Sequence, residues 1–182
     1  MININYFLYI IIKKYGKFMI ENMPKISPVY TELKDFTKEQ RYKHWRSFKR
    51  EWELLEDWTY PLKGGEDKIV IPQTFRFDGV TMPRWLHWFL SPTGIFFIPS
   101  LVHDFAYRYD YLWVETGEGE LIQYKKGSGR EHWDDMFKEI SLELNKMCGL
   151  NAFARGILFV FGKHSWNKNR QKEIQEIKPK RV

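Results

Sequence analysis

The sequence predicts an α+β fold, a small antiparallel sheet followed by packed helices with an inserted β-hairpin. Residues 52–79 alternate short β-rich runs with turns marked by Gly and Pro, whereas apolar residues after Pro99 recur at spacings of three and four. Between the helical stretches, "VETGEGELIQYKKG" sets turn chemistry between two apolar–polar alternations, as a hairpin requires. The 182 residues suffice for one domain with a sizeable core. The expected division is an N-terminal arm at 1–36, an α+β domain at 37–166 and a basic tail at 167–182.

In chain order, "NYFLYIII" is apolar but far shorter than the ~20 residues that span a bilayer. It also lacks a basic start and a small-residue cleavage site, so neither a transmembrane helix nor a signal peptide is expected. A packed strand or interaction arm is, with Met19 and Met23 as alternative starts. Thr37 suits the N-cap of a helix whose stripe of Tyr42, Trp45 and Phe48 would face the core. "WELLEDWTYPL", "KGGED" and "KIVIP" then read as two strands joined by a Gly-containing turn, and "TFRFDG" as a third extended piece. Pro83 enters a short helix carrying Trp85, Leu86 and Phe89, which Pro92 and Gly94 end.

Pro99 opens a helix expected to run to Trp113. Past the hairpin, Ser128 and Glu131 have capping-box spacing. Trp133, Phe137, Ile140, Leu144 and Met147 form one stripe ending at Gly149. A last helix, "AFARGILFVFG", is apolar enough to be buried on most sides. The single cysteine, Cys148, excludes a disulfide framework and a multi-cysteine zinc site, and a packed core thiol is expected there.

The 8 Trp, 10 Tyr and 14 Phe imply an aromatic core or interface. The net charge of +6 would suit an anionic partner, but much of the excess lies in Lys13, Lys14 and Lys17 and in "KHSWNKNRQK" and "KPKRV", expected to be solvated ends. No recognition-helix, zinc-finger or aromatic nucleic-acid motif accompanies it, which argues against nucleic acid as the partner.

The chemistry concentrates in "PSLVHDFAYRYD". Helical spacing puts His103 and Tyr107 one turn apart on one face, with Asp104 on the adjoining face. Such a set can hold a metal, a base and an orienting hydroxyl, or it can be a helix with a buried histidine. In "FDGVTMPR", Asp78, Gly79 and Thr81 suit a turn that caps the helix entered at Pro83. Functionally, Asp78 would add a ligand at the His103 site and Arg84 would meet a phosphate or anionic head group. His44, His132 and His164 are expected at the surface.

The run "WELLEDWTYPL…IVIPQTFRFDGVTMPRWL…LVHDFAYRYD…WDDMF…FGKHSW" resembles the phage and prophage family named domain of unknown function 1353, over roughly residues 52–166. That resemblance implies a viral or prophage origin, with virion or host cytoplasm as the location, and does not supply an activity. "HDFAY" is also similar to the His-Asp-x-x-Tyr signature of phospholipase A2, and "DDMF" to the Asp-x-x-Phe element of its viral, disulfide-free branch. This second resemblance implies His103 as the base that activates water, Asp134 fixing its ring and Tyr107 hydrogen-bonding that carboxylate. It further implies Asp104 as a calcium ligand and membrane phospholipid as substrate. The glycine-rich calcium loop of those enzymes has no counterpart, since "SPTGIFFIPS" carries one Gly.

If the two helices form an antiparallel pair, His103 lies about ten residues from the connecting end and Asp134 about five. The mismatch of ~7 Å would require a slipped or steeply crossed pair. An alternative takes His87, His103, Asp104 and Asp134 or Asp135 as manganese or iron ligands of a His-Asp-type phosphohydrolase. The expectation is therefore a metal-dependent, phospholipase-like hydrolase. The non-enzymatic alternative is a virion or tail-associated protein contacting other virion proteins through its aromatics.

Overall fold

A computed structural model describes residues 23–30, 34–47, 51–77, 95–171 and 174–180, without the side chains of 43–47. The described elements are β1 (Ile26–Pro28), α1 (Lys38–Ser47), β2 (Trp52–Leu54), β3 (Trp58–Pro61), β4 (Lys68–Ile71), β5 (Arg76–Phe77), α2 (Phe97–Tyr109), β6 (Leu112–Glu115), β7 (Leu121–Tyr124), α3 (Arg130–Asn145) and α4 (Cys148–Arg170). Antiparallel sheets with packed helices make the fold α+β. No helix among the described residues is long and apolar enough to cross a membrane.

The strands divide into two antiparallel sheets, ordered β1-β2-β5 and β3-β4-β6-β7. "WELLEDWTYPL", expected as one strand, is therefore split: Trp52 pairs with Phe77, whereas Trp58 pairs with Ile71. The corner between them carries Asp57, whose carboxylate accepts the Gln73 amide at 2.6 Å and the Lys180 amide at 2.6 Å. The bend lets one carboxylate serve both amides, tying the corner to residues 73 and 180. The β6–β7 hairpin, in turn, does not project alone. Val70 of β4 pairs with Trp113 of β6, so the hairpin completes the larger sheet.

Thr37 caps α1 as expected, its hydroxyl accepting the Gln40 amide while the Gln40 side chain accepts the Thr37 amide. Tyr42, assigned to the core, is exposed; the side chains of Trp45 and Phe48 lie outside the described residues.

Helix α2 stops at Tyr109 rather than Trp113, because Asp110 adopts a left-handed conformation (φ 59°) that a short polar residue tolerates. The next residues then enter β6. Phe97, Leu101, Val102 and Phe105 of α2 join Phe75, Phe77, Ile69 and Leu112 in the main core, with Phe75 and Phe105 edge to face at 5.0 Å. The capping box expected at Ser128 is absent: Gly129, at φ 81°, takes the N-cap of α3 with no side-chain cap.

Trp133, Phe137 and Ile140 are buried as their spacing required, but α3 ends at Asn145, and Met147 is exposed. A reciprocal amide pair between Asn145 and the fully buried Asn151, with Asn145 also accepting the Met147 amide at 2.8 Å, closes a tight turn before Gly149 is reached. Cys148 opens α4 just beyond this turn and is exposed, so it is no core thiol.

Helix α4 packs on α3 and α2 by one face only. Asn151, Ala154, Ile157 and Gly162 are buried, while Phe153, Phe159, Val160 and Phe161 are exposed, contrary to the burial on most sides expected from composition. The chain beyond it keeps Lys178 and Lys180 exposed as expected, but it is tied down rather than loose. Residues 174–180 lie along the larger sheet, where Trp113 donates to the Ile177 carbonyl at 2.9 Å and Tyr111 donates to Glu176 at 2.9 Å.

Candidate functional site

Two features bring α2 and α3 together at the right height. Asp110, at the end of α2, accepts the Gly129 amide at 3.1 Å and the Trp133 indole N–H at 2.8 Å, so one carboxylate ties the end of the first helix to the start of the second. Because α2 ends at Tyr109, His103 lies six residues from its end and Asp134 four residues past Arg130. The mismatch shrinks to ~3 Å, and no large slip is needed.

His103, Tyr107 and Asp134 converge. The His103 Nε2 lies 2.9 Å from Asp134 Oδ1, and the Tyr107 hydroxyl donates to the same oxygen at 2.5 Å. The other oxygen, Oδ2, faces Arg130 Nη1 at 3.5 Å, one turn earlier on α3. The His103 ring is further held by Tyr107, with centroids 3.9 Å apart, and by the edge of Phe137 at 5.5 Å. All three polar side chains are buried, with His103 6 %, Tyr107 4 % and Asp134 1 % exposed.

These contacts define protonation states. An oxygen that accepts from the Tyr107 hydroxyl acts as an acceptor toward His103 as well, so Nε2 carries the ring proton and Nδ1 keeps its lone pair. Burial pushes the His103 pKa below its ordinary value despite the opposing pull of Asp134. Burial and the adjacent Asp134 push the Tyr107 phenol upward, which keeps it a donor. The site is thus a neutral imidazole with a fixed tautomer.

Three contributors were not identified in the sequence. Arg130 donates to the Phe159 carbonyl at 2.8 Å and lies over the Phe159 ring, linking α4 to the carboxylate. Trp166 sets its edge against Tyr107 at 5.3 Å. A Cβ on Gly162 would come 2.5 Å from the Tyr107 oxygen, so only glycine allows α4 this close. The i,i+4 spacing of Arg130 and Asp134, and a glycine inside an apolar helical run, were the available signals.

The remaining candidates scatter. Asp104 is half-buried next to His103, and exposed Asp135 instead pairs with Arg155 at 2.5 Å. His132 is half-buried with its ring edge to Trp133, and His164 is exposed. Asp78, Gly79, Thr81, Pro83, Arg84, Trp85, Leu86, His87 and Phe89, like the apolar run 5–12, lie outside the described residues, as does the side chain of His44. Among the described residues, no three His, Cys, Asp or Glu side chains group as a metal site. Calcium takes six to eight oxygens, and of the two carboxylates assigned to it only Asp104 is among the described residues, so the described side chains alone do not make a calcium site.

The family model for a protein of unknown function, DUF1353, matches residues 52–153, more than half of the chain. The chain is a member of DUF1353. No curated protein and no solved structure matches it. The DUF1353 match contains His103, Tyr107, Arg130 and Asp134, and stops before Gly162 and Trp166. The part of α4 that presses on Tyr107 therefore lies beyond the matched stretch.

Proposed function

We propose that this DUF1353 protein is an ester hydrolase of phospholipase-like type in which His103 is the general base. The observation that carries the reading is the 2.9 Å contact between His103 Nε2 and Asp134 Oδ1, with Tyr107 on the same oxygen. Nδ1 is then the nitrogen free to take a proton from water. The water oxygen attacks the ester carbonyl carbon, and the proton on Nδ1 passes to the leaving alkoxide as the C–O bond breaks. Asp134 steadies the imidazolium between the two transfers, and Tyr107 and Arg130 hold Asp134. Asp104, beside the dyad, is the side chain proposed to meet a calcium ion.

A second reading takes the deep burial of the trio as its support: a polar tie joining α2 to α3 in a non-catalytic virion or tail-associated protein. The phosphohydrolase alternative has less behind it, since His103 and Asp134 bond each other and Asp135 is engaged by Arg155.

The test is hydrolysis of phosphatidylglycerol vesicles and of a soluble short-chain ester by the full chain, with and without calcium, beside Asp134→Asn. Turnover that falls ~100-fold or more in the variant is expected. A wild type inert on both substrates, or a fully active Asp134→Asn, would leave the structural tie as the reading that stands.

A further inference from the structure

Helix α4 is amphipathic in an unusual sense. Its outward face is apolar in the first half and basic in the second. Phe153, Gly156 and Val160 follow one another at spacings of three and four on the side opposite buried Ala154 and Gly162, with Phe159 and Phe161 on either flank. Phe153, Phe159 and Phe161 are each about half exposed, and Val160 is 66 % exposed. Further along come Lys163, His164 and Lys168, all exposed. The 23-residue helix contains four Lys or Arg and no Asp or Glu. Arg155 is engaged by Asp135, and Arg170 by the carbonyls of Tyr107 and Arg108, which leaves the lysines as the outward charge.

We propose that this face of α4 seats the protein on an anionic lipid surface, Phe153 and Val160 entering the acyl boundary while Lys163 and Lys168 meet phosphates. Charge complementarity favours this occupant over a second copy. Two such helices laid parallel would bring their lysines together, and laid antiparallel would set lysines against phenylalanines, with no acid on either helix to pair with them. Exposed aromatics beside lysines suit the boundary between head groups and chains, where a ring is buried and an ammonium stays wet. The same helix presses Gly162 and Trp166 against Tyr107, so lipid contact would be made by the element that backs the His103 site. The inference goes beyond the hydrolase reading and does not depend on it, because adhesion is read without turnover.

The experiment is co-sedimentation of the full chain with vesicles of phosphatidylcholine alone and of equal parts phosphatidylcholine and phosphatidylglycerol. The variants are Phe153→Ser with Val160→Ser, and Lys163→Gln with Lys168→Gln. Wild type should partition onto the anionic vesicles in preference to the neutral ones, and each double variant should bind about tenfold less or weaker still. The lysine variant should melt with wild type, and the Phe153→Ser/Val160→Ser variant, which loses one half-buried ring, should still be fully folded at the assay temperature by circular dichroism, separating lost adhesion from lost fold. Wild type that remains in the supernatant, equal binding to both vesicle types, or adhesion kept by the Phe153→Ser/Val160→Ser variant would each overturn the proposal. So would a dimer by light scattering that this variant reduces to a monomer, which would assign the face to a second copy.

Discussion

The two neighbouring amides that can replace His103 are predicted to behave differently, because the bond to Asp134 is made by Nε2 and not Nδ1. The amide nitrogen of glutamine reaches about as far as Nε2, whereas that of asparagine reaches only the place of Nδ1. His103→Gln should therefore keep a donor on Asp134 Oδ1 and stay within about 1 kcal/mol of wild type. His103→Asn leaves that oxygen with Tyr107 alone and opens a gap beside Phe137. A lost hydrogen bond to a charged group costs ~1.5–3 kcal/mol, and for a chain of this size each kcal/mol lowers the melting temperature by ~2–4 °C. A fall of ~3–12 °C is expected for Asn and little change for Gln. Both variants lack a nitrogen base, so both should lose ~100-fold or more of any ester hydrolysis. Circular-dichroism melts and an ester assay on the same preparations read both effects. Coincident melts for Gln and Asn would refute the Nε2 contact as a stabilising bond, and undiminished turnover in His103→Gln would remove His103 as the base.

Gly162→Ala should destabilise by ~1–3 kcal/mol, because its Cβ meets a Tyr107 oxygen already held by Asp134. In a Tyr107→Phe background the nearest atoms are ring carbons at 3.4 Å, so the double variant should lose less than the sum of the singles; additive losses in denaturant titrations would refute the close approach. With the folded-state His103 pKa depressed, the unfolded chain takes up a proton near its ordinary pKa of ~6.5 while the folded one does not. Stability from this group is full above that pH and declines as pH falls from it toward the folded-state pKa, so urea midpoints of wild type should drop relative to His103→Gln over that interval, and parallel curves would contradict the burial argument. If Asp104 meets calcium, calcium should raise the wild-type melting temperature by mass action and leave Asp104→Asn unmoved. A shift shared by both proteins would place the ion elsewhere.

The sequence was most informative where one element sufficed. The His103–Tyr107 spacing and the Trp133–Phe137–Ile140 stripe depend on helical period alone, and both stand in the structure. It was least informative where a side chain redirected the backbone across a gap. Asp57 bends one apparent strand into two sheets by binding amides 16 and 123 residues away, and Asp110 ends α2 early by binding the start of α3. Neither residue differs in its local pattern from an ordinary surface carboxylate. The exposed face of α4 was missed because apolar content indicates a tendency to burial, whereas its outcome depends on how many neighbours a helix has.

The stretch 174–180 has a consequence for the order in which the protein matures. Lys180 closes on Asp57 and Ile177 on Trp113, contacts that span 123 and 64 residues. A chain leaving the ribosome presents Asp57, Tyr111 and Trp113 long before their partners have been synthesised. Closing such long loops is entropically costly until the rest of the sheet is in place. In the interval the aromatic face of the larger sheet stands uncovered, and nascent chains are at their most adhesive toward chaperones and one another.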